Sequence, residues 1–317
     1  MSGGRPWNRT RHGSPRRSYS PLPHLAARRP TWNIVSIDNS CLKLQDQSHK
    51  NYTIIGNAGH QMKPRIISQH KKNSYQFWLY GLHPVASALA NNKRLKHRLV
   101  VSENALRKLS EPIKESGIRY EIVDVKAINH LLEPGIVHQG VALEVSTLHQ
   151  PSTDELLNNG DKIGALILLD GITDANNVGA IIRTAEAFYA QGIITTVRNS
   201  PSESGVLAKA SSGALERLPF IKVPNLVGVM QKLKKNGYWI AGLDVNGDCS
   251  LNQAITGVNE SQIVFVLGSE GKGLRQATKE CCDFLVRIST NPTIGSINVS
   301  NAAAICLYAG QTLSPKP

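Results

Sequence analysis

Histidine is absent from the second half of this 317-residue chain, because all ten histidines lie at or before His149. If the chemistry lies in residues 150–317, a Ser-His-Asp triad, a histidine-activated cysteine and a histidine-ligated metal are excluded unless the first half supplies the histidine. The five cysteines form no CxxC pair, which argues against a disulfide framework and a structural zinc site and favours a reducing compartment. No apolar run approaches the roughly 18 residues of a membrane helix, so we do not expect a membrane protein.

Acidic residues are scarce at the start of the chain. The formal charge is +13, yet residues 1–74 hold 13 Lys/Arg and only two acids. The basic character therefore belongs mainly to this segment and does not by itself indicate nucleic-acid binding by the rest. Three interpretations stay open: a basic arm that contacts RNA phosphates, an organelle transit peptide, and a dispensable extension upstream of a start at Met62. Five prolines in the first 30 residues argue against a transit helix, and we favour a disordered, non-catalytic extension over residues 1–73.

Alternating strand and helix patterns begin at Tyr75. Residues 74–150 predict a small α/β domain, residues 151–162 a linker with a short helix, and residues 163–317 a second α/β domain. The strands of the second domain are continuous apolar runs separated by helices, a pattern typical of a parallel sheet covered on both faces. Ligands bind such sheets beyond the carboxyl ends of the strands, so the loops at those ends are the expected site.

The first of three unusual loops opens a predicted amphipathic helix. Asp174 or Asn176 is expected to cap this helix. Arg183 follows Gly179 by about one turn, so we expect Gly179 to leave room for Arg183 to lie back toward the loop. From spacing alone, a surface arginine on an amphipathic helix explains the pattern equally well.

The other two loops follow later strands. GSEGKG at residues 268–273 matches neither the dinucleotide-binding GxGxxG pattern nor the P-loop, and a side chain at Gly268 is expected to point into ligand space. SINVS at residues 296–300 leads into an alanine-rich helix, where Ser296 and Asn298 also suit simple N-capping.

Together, the three loops resemble the three motifs of the SpoU/TrmH family of RNA ribose 2′-O-methyltransferases, in the SPOUT superfamily. Motif 1, Asn-x-Gly-x-x-x-Arg, stands as Asn177, Gly179 and Arg183, while motif 2 stands at residues 268–273 and motif 3 at residues 296–300. YGLHPVASAL and HQGVALEV resemble the family's small RNA-recognition domain. The pattern is most similar to RlmB-like members, which modify a guanosine of large-subunit (23S) ribosomal RNA.

Four positions depart from the family pattern. Ala175 replaces the usual proline of motif 1, and Ile297 stands where leucine is usual; both changes are mild. Ser289 and Pro292 take the proline and glycine positions before motif 3, and they change the backbone expected for the cofactor loop.

The resemblance implies a parallel-sheet trefoil-knotted methyltransferase domain that uses S-adenosylmethionine and no metal. It assigns cofactor contacts to Gly268, Ile288 and Ile297 and the central catalytic role to Arg183, as a base or as a group that positions a phosphate. A guanidinium deprotonates very reluctantly, which favours positioning. Glu270 is expected to orient Arg183, and Asn177, Ser296 and Asn298 are expected to form hydrogen bonds with the ribose and the loop backbone; all of these are predicted catalytic-site residues.

The resemblance also implies partners. We expect RNA as substrate and a homodimer with the last helix at its interface, where the alanines at residues 302–304 would permit close packing. The expected location is the cytoplasm, or an organelle if the N-terminus is a transit peptide. Two alternatives stay open: a TrmH-like transfer-RNA ribose methyltransferase, and a non-enzymatic RNA-binding protein, which would not bind S-adenosylmethionine. The domain at residues 74–150 favours the ribosomal substrate by analogy.

Overall fold

The computed structural model describes residues 33–38, 41–45, 51–55, 67–68, 75–158, 164–256, 262–291, 293 and 295–311. The chain divides into two units, Met1–Asn73 and Ser74–Pro317. In the first unit, an antiparallel sheet in chain order is formed by four strands: β1 (Asn33–Asp38), β2 (Cys41–Gln45), β3 (Asn51–Ile55) and β4 (Ile67–Ser68). The sequence interpretation gave residues 1–73 no strands and overlooked the alternating apolar pattern of CLKLQ. The remainder of that extension, including residues 1–32, lies outside the described residues.

A small α/β domain opens the second unit. Its elements are β5 (Gln76–Tyr80), α1 (Leu82–Ala90), β6 (Lys96–Val101), α2 (Glu103–Lys108), α3 (Ser110–Ser116), β7 (Tyr120–Ile122), α4 (Val125–Leu131) and β8 (Val141–Ser146). The strand order is β5-β8-β6-β7, with β8 antiparallel to both neighbours and β7 parallel to β6. The segment between β6 and β7 forms two helices and not one continuous helix, because Pro112 has no N–H with which to continue the ladder back to Lys108.

The larger domain alternates strands and helices throughout. Its elements are α5 (Thr153–Asn158), β9 (Leu166–Asp170), α6 (Ala175–Ala187), β10 (Gly192–Thr196), α7 (Gly205–Ala210), a 3-10 turn (Ala214–Glu216), β11 (Phe220–Val223), α8 (Leu226–Lys235), β12 (Trp239–Leu243), β13 (Cys249–Ser250), α9 (Leu251–Thr256), β14 (Ile263–Gly268), α10 (Gln276–Cys281), β15 (Phe284–Arg287) and α11 (Val299–Gln311). The sequence analysis did not anticipate β13 or α9. No helix among the described residues is long and apolar enough to cross a bilayer.

The seven strands of this domain pair in parallel, in the order β11-β10-β9-β14-β12-β15-β13. The central strands are buried on both faces: Ile167 and Phe265 pack in one apolar cluster, and Leu166 and Val264 pack in another. Burying each such side chain contributes roughly 1.5–3 kcal/mol, so continuous apolar strands are stable only with helices on both sides. The predicted α/β class with a parallel sheet is confirmed.

The strand order also locates the site. β9, β14, β12 and β15 are consecutive neighbours, and all four run in the same direction. Their carboxyl ends therefore lie along one edge of the sheet, and the loops that leave these ends meet there.

Candidate active site

A tight turn follows the carboxyl end of β14. The Ser269 N–H donates to the carbonyl of Gly273 (3.2 Å), and the Gly273 N–H donates to the carbonyl of Ser269 (2.9 Å). Gly271 and Gly273 have φ values of 79° and 66°, in the left-handed region that favours glycine. The turn carries Glu270 at its exposed tip.

Gly268 is required by this turn rather than by ligand space. A Cβ at Gly268 would lie 2.3 Å from the carbonyl carbon of Gly273 and 2.4 Å from the nitrogen of Leu274. The expectation that a side chain at this position would point toward the ligand is therefore wrong, because the loop's own backbone occupies that position.

A buried carboxylate fixes the far end of the same turn. Asp170 ends β9 opposite Gly268, and its side chain is 0% exposed. It accepts hydrogen bonds from the backbone N–H of Arg275 (3.1 Å) and from the Arg275 Nε (2.6 Å). The pairing ties the motif 2 turn to the neighbouring strand. Asp170 could have been recognised as a candidate site residue, because it is an aspartate at the end of an apolar strand.

Motif 1 begins helix α6. The Asp174 carboxylate accepts from the N–H groups of Asn176 (3.1 Å) and Asn177 (3.2 Å), so Asp174 is the cap. Gly179 is buried, and a Cβ there would lie 2.3 Å from the Cβ of Ala210 in α7. The glycine is therefore needed for the close packing of α6 on α7, which corrects our expectation that it makes room for Arg183.

Side chains from all three motifs meet beside this turn. Glu270 Oε1 accepts hydrogen bonds from Asn177 Nδ2 (2.9 Å) and Asn298 Nδ2 (3.1 Å), and Asn298 Nδ2 also donates to Asn177 Oδ1 (3.0 Å). We call these three residues the amide–carboxylate triangle. The Asn298 Oδ1 also accepts from the backbone N–H of Ser300 (2.8 Å) at the start of α11, so Asn298 caps this helix as well as binding Glu270 and Asn177.

Arg183 is exposed on α6. Within the described part of the chain, its side chain forms neither a hydrogen bond nor an ion pair. The expected contact with Glu270 is therefore not formed, because that carboxylate binds the two asparagines instead. An uncommitted guanidinium is free to bind an anionic group of a ligand.

A cavity of about 830 Å³ lies between the loops that follow β12, β14 and β15. All three positions predicted to contact the cofactor line it: Gly268, Ile288 and Ile297. Three further predicted site residues line it as well: Glu270, Ser296 and Asn298. Asn177 and Arg183 are not among the lining residues, and Asn177 reaches the cavity through its bond to Glu270. Ser289 is exposed, and Pro292 lies outside the described residues.

One wall of the cavity was missed by the sequence analysis. Residues 243–246, after β12, line the cavity together with Lys279. Lys279 Nζ lies 2.5 Å from Asp244 Oδ2, and this hydrogen bond holds the pKa of the Asp244 carboxyl below its usual range. The loop could have been found from the same signal as Asp170, an aspartate directly after an apolar strand.

The arrangement suits a small organic ligand. The volume falls within the range of about 300–1,000 Å³ typical of small-molecule sites, and Ile288 and Ile297 give it apolar walls. Within the described ranges, no group of three or more His, Cys, Asp or Glu side chains is arranged to hold a metal ion.

Comparison with known proteins agrees with this geometry. Residues 164–308 match the SpoU rRNA Methylase family, and residues 78–151 match the RNA 2′-O ribose methyltransferase substrate-binding family. The fold and the site thus define the class of RNA ribose 2′-O-methyltransferases. The chain belongs to the SpoU rRNA methylase family, and the resemblance seen in its sequence is confirmed.

Individual relatives extend over most of the chain. The 23S rRNA (guanosine-2′-O-)-methyltransferase RlmB of Shewanella oneidensis is 34% identical over 237 residues, covering 73% of this chain and 94% of the relative. The enzyme of the same name from Coxiella burnetii is 35% identical over 75% of this chain and 96% of its own length. The SpoU methyltransferase AviRb from Streptomyces viridochromogenes, crystallised with the cofactor AdoMet, shares the fold with a TM-score of 0.63 at 23% identity, covering 75% of this chain and 89% of its own.

Proposed function

We propose that this protein transfers the methyl group of S-adenosylmethionine to the ribose 2′-oxygen of a guanosine in 23S ribosomal RNA. The observation that carries the proposal is the amide–carboxylate triangle, which joins all three motifs at the rim of a cavity of suitable size. The named activity of the RlmB relatives, which match nearly over their full length, supports the substrate.

The residues of the cavity fit the cofactor. S-adenosylmethionine, when bound, supplies a methyl group activated by its sulfonium charge. Gly268 permits the tight turn whose backbone lines the cavity, and Ile288 and Ile297 offer apolar walls for an adenine ring. Asp244 is a carboxylate on the loop after β12, where the Lys279 hydrogen bond lowers its pKa, and its oxygens can accept from hydroxyl donors.

Arg183 and residues at the rim of the cavity act on the RNA in this proposal. Arg183 binds a phosphate next to the target ribose and so orients the 2′-hydroxyl for in-line attack. The triangle fixes the side chains of Asn177 and Asn298 at the rim, and the exposed hydroxyl of Ser296 can hydrogen-bond to the ribose. Residues 74–150 bind the RNA, residues 163–317 form the methyltransferase domain, and the trefoil knot stays a prediction.

The proposed homodimer uses α11, through residues other than those expected. Ala302 and Ala303 are buried within the chain, so they are not available to a second copy. Ile305 and Tyr308 on the same helix are 40% and 64% exposed, and Tyr308 makes an edge contact with Phe188 at 6.1 Å. We therefore assign the dimer face to Ile305 and Tyr308. The proposed location is the cytoplasm, with an organelle as the alternative.

Mapping of 2′-O-methyl groups tests the function. RNA from cells with and without the gene is compared at nucleotide resolution, and the purified protein is incubated with labelled S-adenosylmethionine and either 23S ribosomal RNA or transfer RNA. We expect one guanosine of 23S RNA to lose its methyl group in the deletion strain and to gain label in vitro. Label in transfer RNA alone would favour the TrmH-like alternative, and absence of cofactor binding would favour the RNA-binding alternative.

A further inference from the structure

The small domain packs tightly against α7 and the 3-10 turn of the larger domain. A Cβ at Gly205 would lie 2.3 Å from the ring of Tyr80 and 2.4 Å from the carbonyl oxygen of Trp78, both in β5. A Cβ at Gly213 would lie 2.1 Å from the hydroxyl of Ser87 in α1. The two surfaces are therefore in direct backbone contact, and neither glycine leaves room for a side chain.

A buried arginine crosses the same interface. The Arg94 side chain, between α1 and β6, is 0% exposed. Its Nη2 lies 2.5 Å from Glu216 Oε1, and its Nη1 lies 2.5 Å from Glu203 Oε1. Nη1 also donates to the carbonyl of Ser146 in β8 (2.8 Å). One guanidinium thus joins β8 of the small domain to two carboxylates of the larger domain.

The same two carboxylates are held by other groups of the small domain and its linker. Asn91 Nδ2 donates to Glu216 Oε2 (2.9 Å), and the backbone N–H of Leu148 donates to Glu203 Oε2 (2.9 Å). Burial alone would lower the pKa of Arg94, but the hydrogen bonds and charges of Glu216 and Glu203 outweigh it and raise that pKa. The guanidinium is therefore charged, as this network requires.

The interface connects directly to the catalytic helix. Helix α7 contacts β5 at Gly205 and also packs against α6. In that second contact, Ala210 and the following Ser211 lie close to Gly179 of α6. α6 carries Asn177 and Arg183. A rigid path of packed elements therefore runs from the small domain through α7 to the residues proposed to act on the ribose.

We propose that Arg94 is a positioning residue for the RNA substrate: it locks the small domain onto the methyltransferase domain, so that an RNA bound to residues 74–150 is presented to Arg183 at one fixed distance. The substrate is then a folded RNA large enough to contact both domains, and a short oligonucleotide gains nothing from the lock. This inference rests on the proposed function for its kinetic part.

Lysine is the informative replacement. It keeps one positive charge but loses the planar fork that binds two carboxylates and a carbonyl at once. Arg94→Lys and, on the opposite side, Glu203→Gln are therefore compared with Arg98→Lys. Arg98 lies on β6 in an exposed ion pair with Glu121, which does not reach the larger domain. This control removes the same chemical group from a position four residues further along the chain.

Hydrogen exchange reports the lock directly. The Leu148 N–H is protected by Glu203, so we expect both lock variants to accelerate its exchange about tenfold, as expected for local opening, with no change in the Arg98 variant. Unchanged exchange at Leu148 in both lock variants would overturn the lock, whatever the protein methylates.

Kinetics report the positioning. For a folded fragment of 23S RNA, we expect the lock variants to raise KM about tenfold with kcat nearly unchanged, since an RNA that contacts both domains must then order them itself, and this ordering weakens its binding. KM for a short oligonucleotide containing the target guanosine, and the affinity for S-adenosylmethionine, should not change. Equal losses on both RNAs would overturn the positioning role. If the unaltered protein methylates neither RNA, the proposed function fails while the exchange result stands by itself.

Discussion

The side chain of Glu270 is the point where the three motifs make contact. One of its oxygens accepts from both Asn177 and Asn298, and the two amides also bind each other. Hydrogen bonds to a charged acceptor contribute roughly 1.5–3 kcal/mol when shielded, and less on an exposed turn. Because Glu270 is exposed, its loss should disturb the arrangement of the site more than the stability of the fold.

Replacing Glu270 tests the triangle. Glu270→Ala should lower kcat about tenfold, which corresponds to about 1.4 kcal/mol, because the two amides then keep only their mutual bond. Glu270→Gln retains an acceptor oxygen and should keep a larger share of activity. Steady-state methyl transfer and thermal melting measure the two effects. A melting temperature that falls steeply in Glu270→Ala would instead identify the residue as structural.

The guanidinium of Arg183 has no partner within the described part of the chain, so it is available to bind the RNA substrate. Arg183→Ala should reduce methyl transfer at least about 100-fold, the scale of loss expected when a substrate is misplaced. Cofactor binding should stay nearly intact, because Arg183 does not line the cavity. Labelled methyl transfer and calorimetry measure the two. Arg198→Ala, which removes another exposed arginine, is the control. Equal losses of methyl transfer in both variants would mean that the positive charge matters and the position of Arg183 does not.

Among the elements, the α6–α7 contact supports the catalytic residues. Gly179→Ala would place its Cβ 2.3 Å from that of Ala210, so α6 must move and carry Asn177 and Arg183 with it. Overpacking typically costs about 1–3 kcal/mol, so both the melting temperature and kcat should fall. The double variant Gly179→Ala/Ala210→Gly removes the colliding methyl group and should recover part of both. No recovery would show that the contact with the Ser211 backbone dominates.

The motif 2 turn depends on Gly268, and replacing this glycine tests whether the turn forms part of the cofactor site. Gly268→Ala would bring a Cβ within 2.3 Å of the backbone at Gly273, so the turn cannot close as it does now. We expect the affinity for S-adenosylmethionine to fall at least about tenfold with a modest loss of stability. Gly228→Ala in α8, where the nearest atom belongs to the Asn225 side chain at 3.1 Å, is the matched control. Unchanged affinity in Gly268→Ala would place the cofactor site elsewhere.

At the scale of the whole molecule, the chain separates a basic N-terminal unit from the unit that holds every motif. Deleting residues 1–61 removes β1, β2 and β3 of the N-terminal sheet. It should leave the fold of the second unit, the dimer and turnover intact, and we expect little change in RNA affinity. If the deleted segment binds phosphates, the truncated protein will bind RNA more weakly and with a shallower salt dependence. Titrations at several salt concentrations measure this. A large loss of turnover at saturating RNA would show that the segment takes part in the active site.

The class of the fold could be read from residue type and short spacing, and the predicted cofactor positions from motif resemblance. Short apolar runs such as LILLD and IVFVLG indicate strands buried on both faces, and the absence of histidine after His149 excludes a histidine from this half of the chain as a catalytic group. Gly268, Ile288 and Ile297 could be grouped from motif resemblance alone. These features are local, because they depend on residue type and short spacing.

Only the tertiary structure decided what each residue contacts. The order of the strands in the sheet brings the loops after β12, β14 and β15 together. That order cannot be inferred from the spacing of residues along the chain. For the same reason Glu270 binds the two asparagines and not Arg183, Gly179 serves helix packing, and Asp244 joins the cavity. Arg94 lies more than 100 residues before both Glu203 and Glu216. Their pairing therefore depends on a close approach of two domains, which only the folded chain creates.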